Sequence, residues 1–234
     1  MLWLMERARA VALVVAAGAG TRLPSDEPKA LLPIGGRPLV RIAAEAALAS
    51  PAIIEVVVAA PPGFEDRVID ALAQTAGPVV VVSGGKTRQA SVALALRVVD
   101  HEIPIVAIHD AARPFAPPTL FTSVVEAVAA GADAAVPVVQ LVDTVKRVRD
   151  GIVVATERRD QLALAQTPQA CRATLLRDAH KKAEEAKLDF TDDAGLLEWA
   201  GAVVQAVAGD PGNFKITTPL DLARAEALIE AGRE

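Results

Sequence analysis

The sequence predicts an α/β domain, a mostly parallel sheet with helices on both faces and a β-ribbon inserted late in the chain. Three observations predict it. Short β-branched runs alternate with helix-like segments along most of the 234 residues, which demands crossover connections. Residues able to do chemistry cluster just after the strand-like runs, where such sheets bind ligands. From Val138 to Thr156 the alternation gives way to two strands about the turn Asp150-Gly151.

Val11 to Val15 reads as a buried first strand. It empties into Ala16-Ala17-Gly18-Ala19-Gly20-Thr21-Arg22-Leu23, followed by Pro28-Lys29 and a helical run from about Leu39 to Ala49. A loop of small residues exposes backbone N–H groups that a polyanion can approach closely. Arg22 and Lys29 add positive charge beside it. The physical reading is a triphosphate cradle at the carboxyl end of the first strand. A dinucleotide fingerprint needs a third glycine where Leu23 stands, and a P-loop ending at Gly85-Lys86-Thr87 would need a glycine at Val80. A plain turn with two solvated cations is the bland alternative. Gly-x-Gly-x-Arg with Lys29 seven residues beyond Arg22 favours the phosphate site.

Ile53 to Ala59 reads as a strand, Glu65 to Ala76 as a helix and Val79 to Val82 as a strand. Next comes Ser83-Gly84-Gly85-Lys86-Thr87-Arg88-Gln89-Ala90-Ser91 and a helix from Lys86 to Val99. Its glycines allow a ligand near a helix start, and Arg88 and Ser91 share one face. An ordinary cap by Ser83 or Thr87 is the competing reading. After the strand Ile103–Ile108 stands His109-Asp110-Ala111-Ala112-Arg113. Asp110 can hold Mg²⁺, directly or through water, and Arg113 can pair with a phosphate in bidentate fashion. The bland alternative has Asp110 capping the turn and pairing with Arg113; His109 reads as a satisfied, half-buried histidine.

A helix over Pro118–Ala130 and a strand over Ala134–Val139 complete the alternation. The ribbon then covers about 139–160. An isolated ribbon is marginal in water, so a second subunit is the expected support. A helix from about Arg172 to Lys187 and an N-cap at Thr191-Asp192-Asp193 follow, the latter with a possible tie to the site. A strand over Val203–Val207 leads through Lys215 to a final helix, Leu220–Ala231. No internal repeat or linker divides the chain. It reads as one domain, 1–234, with an arm.

Composition excludes several functions. The net charge is −5 with five Phe, two Trp and no Tyr, which argues against nucleic acid or a membrane surface as partner. One cysteine, Cys171, excludes an internal disulfide, and three scattered histidines outline no zinc site. No apolar run reaches membrane-spanning length. The charges near the N-terminus interrupt its apolar residues, unlike a signal peptide. A cytoplasmic location is expected.

The series AAGAGTRL, PK, SGGKTRQAS, HDAARPF, DTVKR, TERRDQL, QTPQ, FTDDAGLLEWAG and GNFKITTPLDL resembles the 2-C-methyl-D-erythritol 4-phosphate cytidylyltransferases, over essentially the whole chain. Related ribitol 5-phosphate and other polyol-phosphate cytidylyltransferases share much of it. The resemblance implies a Rossmann-like nucleotidyltransferase fold and a Mg²⁺-dependent (or other divalent cation) attack of a phosphomonoester oxygen on the α-phosphorus of CTP. It implies that Arg22 and Lys29 stabilise the transition state, with Arg159 and Lys215 also catalytic. CTP would be held by Ala16, Ala17, Gly18, Ala19, Gly20, Lys29, Gly84, Arg88, Ser91, Asp110 and Ala111. Asp110, Arg113, Thr144, Arg159 and Lys215 would bind the polyol phosphate. The arm would cross to a partner in a homodimer and take Thr144 and Arg159 to the neighbour's site. Ala30 departs from the family, which usually carries glutamine there. The chain is also similar to the cytidylyltransferase half of bifunctional enzymes that carry a cyclodiphosphate synthase.

Overall fold

A computed structural model describes residues 9–18 and 27–232. Strand β1 (Ala10–Val15) is central and wholly buried. A small hairpin, β2 (Pro33–Ile34) and β3 (Arg37–Pro38), precedes helix α1 (Leu39–Leu48). The classical alternation follows: β4 (Ile53–Ala60), α2 (Glu65–Leu72), β5 (Val79–Ser83), α3 (Arg88–Leu96), β6 (Ile105–Asp110), α4 (Pro118–Ala129) and β7 (Ala134–Gln140). The ribbon is β8 (Lys146–Arg149) and β9 (Ile152–Thr156). Then come β10 (Ala163–Ala165), β11 (Gln169–Arg172), α5 (Ala173–Ala186), α6 (Asp193–Trp199), β12 (Val204–Ala208) and α7 (Pro219–Glu230).

The main sheet runs β10-β7-β11-β6-β1-β4-β5, with β12 also on β7. Pairings β1–β4, β1–β6, β4–β5 and β7–β12 are parallel; β10 and β11 are antiparallel to their neighbours. The mostly parallel sheet is as the sequence predicts. The two short antiparallel strands are not among the sequence expectations, which leave 163–172 without strands.

The period of two along β1 explains the layers. Ala10, Ala12 and Val14 face a core with α1, α2 and α4, which supply Val40, Ala43, Val68, Phe121 and Val124. Val11, Leu13 and Val15 face the other core, where α3, α5 and α6 bring Val92, Leu96, Leu176, Leu196 and Leu197. Burying each Val, Leu or Phe among them stabilises the fold by about 1.5–3 kcal/mol, and each Ala by less. A third cluster, Ile34, Leu39, Ile216 and Ala225, seats α7 against the hairpin.

Several boundaries differ from expectation for local reasons. α3 begins at Arg88 rather than Lys86 because the Thr87 side chain is the cap, accepting from Ala90 N–H at 3.1 Å. α2 stops at Leu72, short of Ala76, because the chain tightens there into i→i−3 turns, with Ala73 N–H on Asp70 O at 3.3 Å and Thr75 N–H on Leu72 O at 2.8 Å. α7 opens with Pro219 and a capping box between Thr218 and Asp221.

Candidate active site

The carboxyl ends of β1 and β6 and the loop before α7 meet at a cavity of about 210 Å³. Its lining includes Ala16, Gly18, Lys29, Ala30, Arg88, Asp110, Ala111 and Lys215. Larger grooves run between α3 and α5 and between α1 and α7. Of these three, the smaller cavity is the one that opens at the ends of the central strands β1 and β6, where an α/β sheet leaves backbone groups and loop side chains free to converge.

The first loop leaves β1 with Ala16 N–H donating to Ala59 O at 3.0 Å. Ala16 is buried, Ala17 half-buried and Gly18 exposed. Ala19, Gly20 and Arg22 lie outside the described residues. Lys29 opens a single 3-10 turn, Lys29–Leu31, on the cavity wall. The second loop packs tightly on the first. A Cβ at Gly84 would stand 2.4 Å from Ala17 Cβ and 2.8 Å from Ala60 O, so only glycine fits. Ser91, 1% exposed, has its hydroxyl occupied by the loop itself. It accepts from Gly85 N–H at 3.0 Å and donates to Thr87 O at 2.8 Å. Ser91 thus shapes the loop and does not line the cavity.

Asp110 is the electrostatic centre. It is 7% exposed, and its carboxylate is shared between two cations. Lys215 Nζ donates to Oδ2 at 2.7 Å and Arg88 Nε to Oδ1 at 3.0 Å. Arg88 Nη1 also lies 2.7 Å from Asp193 Oδ2, a close ion pair without hydrogen-bond alignment. Burial pushes the Asp110 carboxyl up, but Arg88 and Lys215 outweigh it and hold it well below the usual carboxylate range. Burial opposes the charge of Arg88 as well, yet Asp193 and Asp110 raise its pKa further. Arg88 and Asp110 therefore both stay charged near neutrality.

The Asp110 carboxylate does not pair with Arg113, the partner that the bland alternative expects; its partners are Arg88 and Lys215. Arg113 and Asp110 share a backbone turn, N–H to O at 2.9 Å, and an electrostatic attraction, but no side-chain ion pair. Its Nη1 donates instead to Asn213 O at 2.8 Å. Lys215 wins the carboxylate because Ile216 N–H, bonded to Ala112 O at 2.8 Å, ties the two loops together. Arg88 Nη2 and Arg113 Nε are buried with no partner among the described residues. His109 is fully buried rather than half-buried. Asp110 N–H donates to Thr167 Oγ1 at 3.0 Å. Arg113 O can only accept, so His109 Nε2 carries the proton and donates to it at 3.0 Å; Nδ1 of the neutral ring then accepts from the Thr167 hydroxyl, 3.0 Å away.

Thr144 and Arg159 are exposed on the arm, outside the lining of this chain's cavity. Arg159 donates to Val142 O within the arm. Sequence reasoning gives no role to Gln166, Thr167, Gln169 or Asn213, all buried polar residues around the site. Asp192 caps α6, accepting from Gly195 N–H at 3.0 Å. Among the described residues no three His, Cys, Asp or Glu side chains converge as a metal cage, and no helix is long and apolar enough to cross a membrane.

Comparison with known proteins gives the same direction. The family model described as IspD, 2-C-methyl-D-erythritol 4-phosphate cytidylyltransferase, matches residues 10–231. The enzyme of that name from Frankia casuarinae is 46% identical over 94% of this chain and 81% of its own length. The crystal structure of 4-diphosphocytidyl-2C-methyl-D-erythritol synthase from Anaerococcus prevotii is similar with a TM-score of 0.84 and 30% identity, covering 95% of this chain and 97% of that one. A bifunctional IspD/IspF enzyme of Nitrobacter winogradskyi is 43% identical over 95% of this chain and 56% of its own length. A match of this extent to the model, with relatives at this identity, shows that the chain belongs to the 2-C-methyl-D-erythritol 4-phosphate cytidylyltransferase family.

Proposed function

We propose that the strand-end cavity transfers a cytidylyl group from CTP to 2-C-methyl-D-erythritol 4-phosphate, yielding 4-diphosphocytidyl-2-C-methyl-D-erythritol and pyrophosphate for isoprenoid precursor synthesis. The observation that carries this reading is the Asp110 carboxylate shared by Lys215 and Arg88, beside Lys29, at the ends of β1 and β6. Both reactants are polyanions that repel each other. An acidic chain that concentrates cations there offsets the repulsion and the charge that grows in the transition state.

The reacting bond follows from the chemistry. A phosphate oxygen of the polyol phosphate attacks the α-phosphorus of CTP, and the bond from that phosphorus to the β-phosphate bridge breaks. The nucleophile is largely dianionic at neutral pH, since the second phosphate pKa is about 6. No general base is required, and alignment with charge stabilisation carries the rate. Lys29 stabilises the α-phosphate charge. Arg22 is assigned the same task on its sequence position alone. The loops at Ala16–Gly18 and Gly84 hold CTP with Arg88, whose orphaned Nη2 supports a ligand contact. Asp110 aims Lys215, and Arg113 with Lys215 receives the polyol phosphate.

Magnesium fits this donor set. Asp110 is the one carboxylate in the cavity lining among the described residues, and each of its oxygens, bonded once in the structure, keeps an acceptor site. One carboxylate with triphosphate oxygens and waters is the ordinary environment of Mg²⁺. The ion would neutralise phosphate charge, with Asp110 its protein ligand, directly or through water.

The arm is assigned to a homodimer. Val142, Val148, Ile152, Val153 and Val154 are each more than half exposed along it, an apolar surface that a lone ribbon leaves in water. A second copy would cover it, and Thr144 and Arg159 would serve the partner's site. The test of the activity is pyrophosphate release from CTP with methylerythritol phosphate, against ribitol 5-phosphate. The reading predicts release with the first substrate only, and release only with ribitol phosphate would refute it.

A further inference from the structure

Gln166 and Gln169 flank a bend that carries the chain from β10 on one side of β7 to β11 on the other. Both are buried, at 5% and 4% exposure, and neither lines the cavity. Both amides are saturated. Gln166 Nε2 donates to Asp210 O at 2.8 Å and Asn213 O at 3.3 Å. Its Oε1 accepts from Asp210 N–H at 3.1 Å and Asn213 Nδ2 at 3.3 Å. Gln169 Nε2 donates to Asp192 Oδ2 at 2.9 Å and Gln166 O at 3.3 Å. Its Oε1 accepts from the N–H groups of Asp193 at 3.1 Å and Ala194 at 2.8 Å. Each carboxamide thus spends two donors and two acceptor sites, its full capacity.

What the two amides grip differs. Gln166 holds the loop that delivers Lys215. Gln169 holds the start of α6, whose Asp193 pairs with Arg88. Between them Thr167 fixes the backbone of Asp110, the residue that Lys215 and Arg88 share. The packing leaves no slack: a Cβ at Gly209 would stand 2.8 Å from Gln166 Oε1 and 2.9 Å from Val138 O.

We propose that Gln166 and Gln169 are positioning residues, one setting Lys215 and the other Arg88 about the shared Asp110 carboxylate. The spacing of the two cations is then dictated by one bend. Loss of either amide leaves several buried backbone groups unpaired, a penalty that shifts the loop rather than leaving it in place. Glutamate at 166 would turn two donors into acceptors facing carbonyls.

The kinetic test rests on the cytidylyl transfer reading; the exchange test does not. Gln166→Met should lower kcat by about 10²-fold, the effect of a misplacement of about 1 Å, with KM for CTP nearly unchanged. Gln169→Met should instead raise KM for CTP about tenfold, acting through Arg88. In a Lys215→Ala background the Gln166→Met loss should shrink to under about threefold, since the amide acts through the lysine. Proportional loss of kcat in both variants, adding fully to Lys215→Ala, is the outcome of a merely structural role and overturns the proposal. Gln166→Glu replaces Gln166→Met if the latter does not fold. Hydrogen exchange is read independently of turnover. It should quicken at 210–215 in the Gln166 variants and at 193–197 in Gln169→Met, and unchanged exchange there also overturns the proposal. A wild type silent in turnover, with that exchange pattern in its variants, refutes cytidylyl transfer and supports the bracing.

Discussion

Acid should weaken this fold through His109, and replacing that histidine should remove the effect. The ring lies wholly inside the protein on β6, edge-on to Phe121 at 5.0 Å. Thr167 donates to Nδ1, and Nε2–H serves a carbonyl, so the surroundings suit the neutral ring. Burial pushes its pKa down to about 4 from an ordinary 6.5, against the pull of the neighbouring Asp110. Between those two values the unfolded chain takes up a proton that the folded chain refuses. Stability is therefore full above pH 6.5 and falls as the pH drops toward 4. At about 1.36 kcal/mol for each pH unit of separation, the loss is about 3 kcal/mol. His109→Asn keeps an acceptor for Thr167 but loses ring volume and the bond to Arg113 O. It should be less stable by about 2–4 kcal/mol at pH 7. Its stability should also depend less on pH, so the gap to wild type closes toward pH 4. Urea unfolding at several pH values between 7 and 4.5 measures both curves. His180, also pushed down by burial, is common to the two proteins and cancels in the difference. Parallel curves would refute the assignment of a neutral, buried His109.

Further outcomes follow from the site. Lys215→Ala should cut turnover by at least about 10²-fold while CTP affinity stays within about threefold, measured by steady-state kinetics and calorimetry; wild-type rates would remove Lys215 from catalysis. Gly84→Ala forces a Cβ into Ala17 and Ala60 O, so KM for CTP should rise about tenfold or more. Asp110→Asn should destabilise by about 1–3 kcal/mol at pH 7, because Arg88 and Lys215, both partly exposed, lose a charged hydrogen-bond partner. The wild-type carboxylate's advantage is present above its unfolded pKa and lost as pH falls through its depressed folded value. The deficit should therefore narrow below about pH 4. An equimolar, re-equilibrated mixture of Lys215→Ala and Arg159→Ala subunits should recover about a quarter of wild-type activity if each site draws Arg159 from its partner, because about half the dimers are mixed and each of those has one intact site of two; no recovery would speak against a shared site.

Much of the fold was legible because the local signals are strong. The run Val11–Val15 alternates its faces between two cores, and the strands and helices after it keep the α/β rhythm. Asp110, Arg88 and Lys215 could be selected because each follows a strand or opens a helix. Their mutual arrangement could not. Arg113 is near Asp110 in sequence, while Lys215 reaches it from 105 residues away through a loop-to-loop bond. The strands Ala163–Ala165 and Gln169–Arg172 are too short to show periodicity, and Pro168 between them reads as a loop. Gln166 and Gln169 carry no local signal at all. An amide looks the same in sequence whether it is solvated or saturated inside the protein, and only the tertiary fold distinguishes the two. Asp193 was readable as a helix-start acid, but not as the partner that keeps Arg88 charged.

The measurement closest to the central claim is pyrophosphate release by the wild-type protein with Mg²⁺ and CTP, with and without 2-C-methyl-D-erythritol 4-phosphate, and with ribitol 5-phosphate in parallel. The account predicts release only when the methylerythritol substrate is present, and its near loss in Lys215→Ala. A folded, CTP-binding protein that releases no pyrophosphate with methylerythritol phosphate would contradict it.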